Sequence, residues 1–121
     1  MFLAIQHASL VVADLQRSLS FYCNTLGMQQ CSRPTLSFPG AWLQIGAQQL
    51  HLLNVPPQTR ISTDNRRCGQ DAHVAILVDD LTQLIQRLED AGVAIEKSKS
   101  GRAAVFCRDP DGNALEFIGA E

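Results

Sequence analysis

The chain is written twice. His7-Ala-Ser-Leu-Val-Val-Ala-Asp14-Leu15 matches His73-Val-Ala-Ile-Leu-Val-Asp-Asp80-Leu81, with 66 positions between the paired histidines and between the paired aspartates. Leu26-Gly27-Met28 then matches Ala91-Gly92-Val93, and Leu50-His51-Leu52 matches Leu115-Glu116-Phe117, both at an offset of 65. Two copies are too few for a solenoid, which needs about three repeats or more. They imply a pseudo-symmetric domain of two similar modules, and 121 residues suit one such domain.

Each copy reads as βαβββ, which makes the expected fold α+β. A β-branched strand opens it, over residues 5–12 and again over 72–78. Asp14 and Asp80 follow as helix N-caps, because a short acceptor side chain there satisfies an orphan backbone N–H. Leu15, Leu19, Tyr22 and Leu26 form one apolar stripe at helical spacing, and Leu81, Leu84, Ile85 and Leu88 repeat it. Gly27 and Gly92 stand where a helix ends in the left-handed region. Three strands complete each module: residues 28–33, 41–45 and 49–54 in the first, and 95–97, 103–108 and 114–118 in the second. Asp109-Pro-Asp-Gly-Asn113 is a strong turn between the last two, and Gly46-Ala47-Gln48 serves the first module. The modules then occupy residues 1–54 and 72–121, with an irregular linker over 55–71 that is rich in Pro, Ser and Thr.

Strand alternation decides where the polar residues point. Ala8, Leu10 and Val12 share the face suited to packing under the helix, so His7 and Ser9 take the other. Leu50 and Leu52 likewise set His51 apart, Val74, Ile76 and Val78 set His73 apart, and Leu115 and Phe117 set Glu116 apart. These are all three histidines of the chain, plus one carboxylate, at equivalent positions of the two copies. If the two sheets face each other, the four converge on one N3O site. Imidazole with carboxylate suits Zn, Ni, Co, Mn or Fe. An octahedral ion held by four ligands keeps two positions for a substrate with adjacent oxygens, and the three ligands without His51 also make a working site. Trp42 and Gln44 share one parity of the neighbouring strand and, with Ser9, are candidates to contact substrate.

Charge and composition exclude other classes. A net charge of −2 lacks the basic face of a nucleic-acid-binding domain. No apolar run approaches the roughly 20 residues that span a bilayer. The first residues do not read as a signal peptide. The cysteines at 23, 31, 68 and 107 form no CxxC pair and read as reduced thiols of a cytoplasmic protein. Cys68 stands in a polar loop, a setting open to reaction. Arg60, Arg66 and Arg67 form one basic cluster, and Lys97, Lys99 and Arg102 another. Either suits an anionic partner such as a carboxylate, a phosphonate or a glutathione-like thiol; solvated surface charge is the simpler reading of both.

Taken together, these motifs resemble the vicinal oxygen chelate superfamily, the glyoxalase, bleomycin resistance protein and extradiol dioxygenase group. The resemblance rests on His7 with Leu10-Val11-Val12-Ala13-Asp14-Leu15, Ser18-Leu19-Ser20-Phe21-Tyr22, Leu26-Gly27-Met28, His73 with its strand and Asp80, and residues 109–116. It implies cupped mixed sheets, a homodimer whose chains share or exchange modules, and metal ligands at His7, His51, His73 and Glu116. It implies glyoxalase-I-like lyase or isomerase chemistry, or thiol transfer, with Glu116 as the base. Extradiol oxygenation and non-catalytic, bleomycin-resistance-like binding of a small molecule are the alternatives. Bacterial glyoxalase I usually has Glu where this chain has His51. Ser9 matches a substrate-contacting hydroxyl of the fosfomycin enzymes, but the Arg those enzymes carry beyond the last ligand has no counterpart here.

Overall fold

The computed structural model describes residues 1–56 and 66–120. The chain divides into two compact units, Met1–Thr59 and Arg60–Glu121. The middle of the expected linker, residues 57–65 with Arg60 among them, lies outside the described residues.

The first unit runs β1 (His7–Val11), α1 (Leu15–Leu19), β2 (Gln29–Cys31), β3 (Gly40–Ile45) and β4 (Gln48–Leu53). The second runs β5 (His73–Val78), α2 (Leu81–Asp90), β6 (Glu96–Lys97), β7 (Ala104–Arg108) and β8 (Ala114–Gly119). Each is a four-stranded mixed sheet of the same order, β1-β4-β3-β2 and β5-β8-β7-β6, with the first and last strands of the unit paired in parallel. The α+β reading and the repeat are both realised.

Both helices start as their sequence dictates. Asp14 Oδ1 accepts from the Arg17 N–H at 3.1 Å, and Asp80 Oδ1 from the Gln83 N–H at 3.0 Å. They do not continue alike. α1 passes at Ser20–Thr25 into a π turn, where the Leu26 N–H reaches the Phe21 carbonyl at 2.9 Å, while α2 stays α-helical to Asp90. The cause is one extra residue: Gly27 lies 13 positions after Asp14, but Gly92 lies 12 after Asp80. A π turn absorbs an inserted residue without unwinding the helix. It also sets Phe21 and Leu26, five apart, one above the other, and both are buried. The closing bond carries the same extra residue. Met28 N–H reaches Tyr22 O across six positions, where Val93 N–H reaches Leu88 O across five, with Gly27 and Gly92 at φ 83° and 74°. The continuous α-helix expected to Gly27 is thus corrected to an α-helix followed by a π turn.

One face of each sheet is apolar and carries the helix. Val12, Leu43, Leu50 and Leu52 are fully buried with Tyr22 in the first unit, and Leu115 and Phe117 with Leu88 in the second. Each such side chain stabilises its unit by roughly 1.5–3 kcal/mol. The opposite faces hold the polar residues, and there the units part company. In the second, Cys68–Gln70 forms a 3-10 turn whose Cys68 packs on Phe106 and Ala114. The Cys68 N–H and thiol both bond the Glu96 carboxylate, at 3.3 and 3.0 Å. Arg108 donates to Asp71 Oδ2 at 2.8 Å and to the Arg66 carbonyl at 2.9 Å. Residues 66–71, expected as linker, are therefore fastened onto the second sheet. By repeat register residue 2 corresponds to residue 68, yet Phe2 is 95% exposed.

Candidate metal and substrate face

In the first unit the register sets Ser9, His51 and Trp42 side by side across β1, β4 and β3. His51 is sandwiched. The His7 ring stacks on one side at 4.0 Å and 15°, and the Trp42 ring on the other at 4.1 Å and 2°. His51 is buried, with its pKa lowered, first by that burial and then by the charges of His7 and Arg33. Its Nε2 lies 2.9 Å from Gln49 Oε1. Gln49 Nε2 donates to Gln44 Oε1 at 3.3 Å, and Gln44 Nε2 donates to the Gly46 and Gln48 carbonyls. Those two carbonyls can only accept, so the amides are oriented in one sense, and Nε2 is the protonated nitrogen of a neutral His51. Gln44 is thus joined to His51 through Gln49, a residue the sequence reading missed; its position two before His51 on one strand was the available signal. His7 Nδ1 meets Gln6 Oε1 at 2.6 Å. Ser9 is exposed on the same face.

In the second unit Glu116 is 3% exposed, and both its oxygens are engaged. Oε1 lies 3.3 Å from His73 Nε2, and Oε2 lies 3.1 Å from Arg102 Nη2. His73 Nδ1 lies 2.8 Å from the Asp71 carbonyl, which can only accept. Nδ1 therefore holds a proton, and a neutral His73 presents the Nε2 lone pair to the carboxylate. Two acceptors facing each other at this distance repel unless a positive charge stands between them or on the ring. A carbonyl on the far nitrogen is also the usual support of a metal-bound histidine. The Phe106 ring meets the His73 ring edge-on at 5.4 Å.

Each unit thus brings together two of the four expected ligands, and their donor chemistry fits a divalent transition metal. Within the described residues no group of three or more His, Cys, Asp or Glu stands together.

A cleft of about 340 Å³ opens beside Glu116 in the second unit, lined by Arg67, His73, Lys99, Arg102 and Phe106 among others. Lys97, Ser98 and Ser100 complete its polar wall. Arg67 of one basic cluster and Lys97, Lys99 and Arg102 of the other therefore share one cleft, with Glu116 as the carboxylate. Cys68 is not the reactive thiol that its polar neighbourhood suggested. It is 1% exposed, and burial together with the bond to Glu96 pushes its pKa up to about 11.

The family model described as the glyoxalase/bleomycin resistance protein/dioxygenase superfamily matches residues 4–117. Glutathione transferase FosA of Serratia marcescens is 34% identical, over 94% of this chain and 79% of its own length. A lactoylglutathione lyase of Neisseria meningitidis is 31% identical, over 93% and 87% respectively. Among solved structures, a glyoxalase family protein from Bacillus anthracis superposes with a TM-score of 0.83 at 21% identity, covering 100% of this chain and 98% of its own. The fosfomycin resistance protein FosX of Listeria monocytogenes, solved with Mn(II) and a dihydroxypropylphosphonic acid, superposes at 0.76 with 14% identity, over 100% and 95%. Both show the fold.

Proposed function

The chain belongs to the glyoxalase/bleomycin resistance protein/dioxygenase superfamily, and from that premise we propose that it is a divalent-metal-dependent enzyme acting on a small anionic substrate with adjacent oxygens. The observation that carries this reading is the buried Glu116 carboxylate facing a His73 whose other nitrogen is already committed to a carbonyl. His7 and His51 supply the other two ligands. The chain acts as a homodimer.

The metal, Zn, Ni, Co, Mn or Fe, supplies Lewis acidity toward a substrate oxygen, worth several kcal/mol. The protein's own residues do the rest. Glu116 accepts and returns the proton, a contribution of about 10²–10⁴-fold for a positioned base. Lys99, Arg67 and Arg102 hold the substrate's anionic group in the cleft beside it. Trp42 forms an apolar wall, and Ser9 and Gln44 orient polar groups on the His51 face. Lyase or isomerase chemistry of the glyoxalase I kind, or thiol transfer, are the reactions these parts serve, in a reducing, cytoplasmic setting that keeps the four thiols unpaired.

Metal content measured by mass spectrometry on untagged protein, beside His7→Ala and Glu116→Ala, tests the reading. Near-stoichiometric metal that is lost in both folded variants supports it, and iron as that metal would shift the reaction toward oxygenation. No bound metal after reconstitution would leave a small-molecule binding protein instead.

A further inference from the structure

Arg102 sits on the loop between β6 and β7, with its side chain 56% exposed, yet it is held at two points. Its Nε donates to Ser100 Oγ at 3.1 Å, and its Nη2 donates to Glu116 Oε2 at 3.1 Å. Ser100 is itself fixed: its Oγ meets Ser98 Oγ at 2.7 Å and accepts the Arg102 backbone N–H at 3.3 Å. A local chain of bonds, Ser98 to Ser100 to Arg102, thus aims one guanidinium nitrogen at one carboxylate oxygen. The other oxygen, Oε1, is the one turned toward His73.

We propose that Arg102 is a positioning residue that reserves Oε2 of Glu116, so that a divalent ion at His73 is offered one carboxylate oxygen rather than two. This rests on the metal reading above. A carboxylate with both oxygens free can bind a metal through one or through both, and the second mode uses a second coordination position. A charge-assisted bond from a pre-oriented arginine resists that. The position kept open is one that a substrate with two adjacent oxygens needs. Arg102 therefore trades affinity for the metal against affinity for the substrate, and the same guanidinium stands in the cleft where the substrate's anionic group would lie.

Cobalt(II) is the probe, because its visible absorption weakens as its coordination number rises. It is titrated into the wild-type chain, Arg102→Gln and Lys99→Gln. Lys99 lines the same cleft, so its variant reports the loss of a positive charge by itself. Arg102→Gln should bind cobalt about tenfold more tightly, the scale of one hydrogen bond to a charged group. Its visible spectrum should also become weaker, whereas Lys99→Gln keeps the wild-type spectrum. Ser100→Ala, which loosens the arginine, should move the spectrum the same way by less. Unchanged or weaker binding in Arg102→Gln with the wild-type spectrum overturns the proposal and leaves the metal reading standing. So do equal changes in Arg102→Gln and Lys99→Gln, which would reduce the effect to net charge. Failure of the wild-type chain to bind cobalt at all sinks both.

Discussion

The two units share a sheet order, a capped helix and a polar face, but they treat that face oppositely. In the second it is covered: residues 66–71 lie across it, Phe106 and Ala114 are buried beneath Cys68, and the Glu116 carboxylate is nearly sealed. In the first, three stacked rings and a chain of glutamine amides order it from within. The reason lies in charge. A carboxylate withdrawn from water needs fixed partners on each oxygen, and the fastened segment contributes to these by supplying the Asp71 carbonyl that orients His73. A neutral imidazole such as His51 carries no charge to neutralise, only one donor and one acceptor nitrogen to satisfy. The same scaffold therefore carries a paired, buried carboxylate in one unit and a stack of rings in the other.

The comparison breaks most readily at the ligands. Glu116→Gln should weaken divalent-metal binding by at least about 100-fold, near 2.7 kcal/mol, and His51→Gln by clearly less, because only the first removes a charge. Equal losses by calorimetric titration would mean that the units contribute alike. Next come the rings at matching positions. Phe106→Ala should cost about 3–4 kcal/mol in urea unfolding, since it empties a buried site under the fastened segment. Trp42→Ala, on the half-exposed face, should cost less than half of that. Single-residue deletions sharpen the contrast between the helices. Removing Asn24 from the π turn brings the Asp14–Gly27 spacing down to that of the second unit and keeps Phe21 and Leu26 in register, so the loss should stay below about 1.5 kcal/mol. Removing Gln86 from α2 turns Leu88 away from its core and should cost about 2–4 kcal/mol. Comparable losses would refute the insertion account of the π turn.

The last effect is one of pH, at the buried thiols. Cys68 and Cys107 titrate near 11 and 12, both raised chiefly by burial, and Cys68 also by its bond to Glu96. Below the unfolded value of about 8.5 both states are protonated and stability is intact. As pH rises past it, only the unfolded chain ionises, and stability falls by up to about 1.4 kcal/mol per unit for each thiol until the folded values are reached. At pH 8 a thiol reagent should label neither cysteine until denaturant is added; labelling of Cys68 in the native chain would show that its cover opens readily.

The repeat made most of the fold legible, because the residues that define it are the ones that strand alternation and helix capping constrain. His7, His51, His73 and Glu116 could be assigned to polar faces from parity alone, and the structure sets the His7 ring against His51 and His73 against Glu116. The one-residue change of offset was visible in the spacing of Asp14 and Gly27, but only the hydrogen bonds show that a π turn takes it up. Partners set by loops were not legible. Arg102 reaches Glu116 from a bend at residues 99–103 that no periodicity describes, and Cys68 meets Glu96 across 28 positions. Its polar neighbours in sequence suggested exposure, whereas a nonlocal carboxylate and the Phe106 ring decide its surroundings. Gln49 was passed over because an amide on a strand carries no signal until the histidine beside it has a known orientation.

The ring stack has an optical consequence. Trp42 is the single tryptophan of the chain, and its indole lies flat against His51, so its emission reads the state of that one imidazole. A protonated or metal-bound ring pressed on an indole face draws on its electrons, and the light should dim. Because the His51 pKa is lowered, acid quenching should set in below the usual imidazole midpoint of about 6.5. Over the same span folding stability should fall, since the unfolded chain takes up its proton first. The wall of the candidate site thus doubles as its own indicator dye, and metal loading of the first unit can be followed by fluorescence without any label.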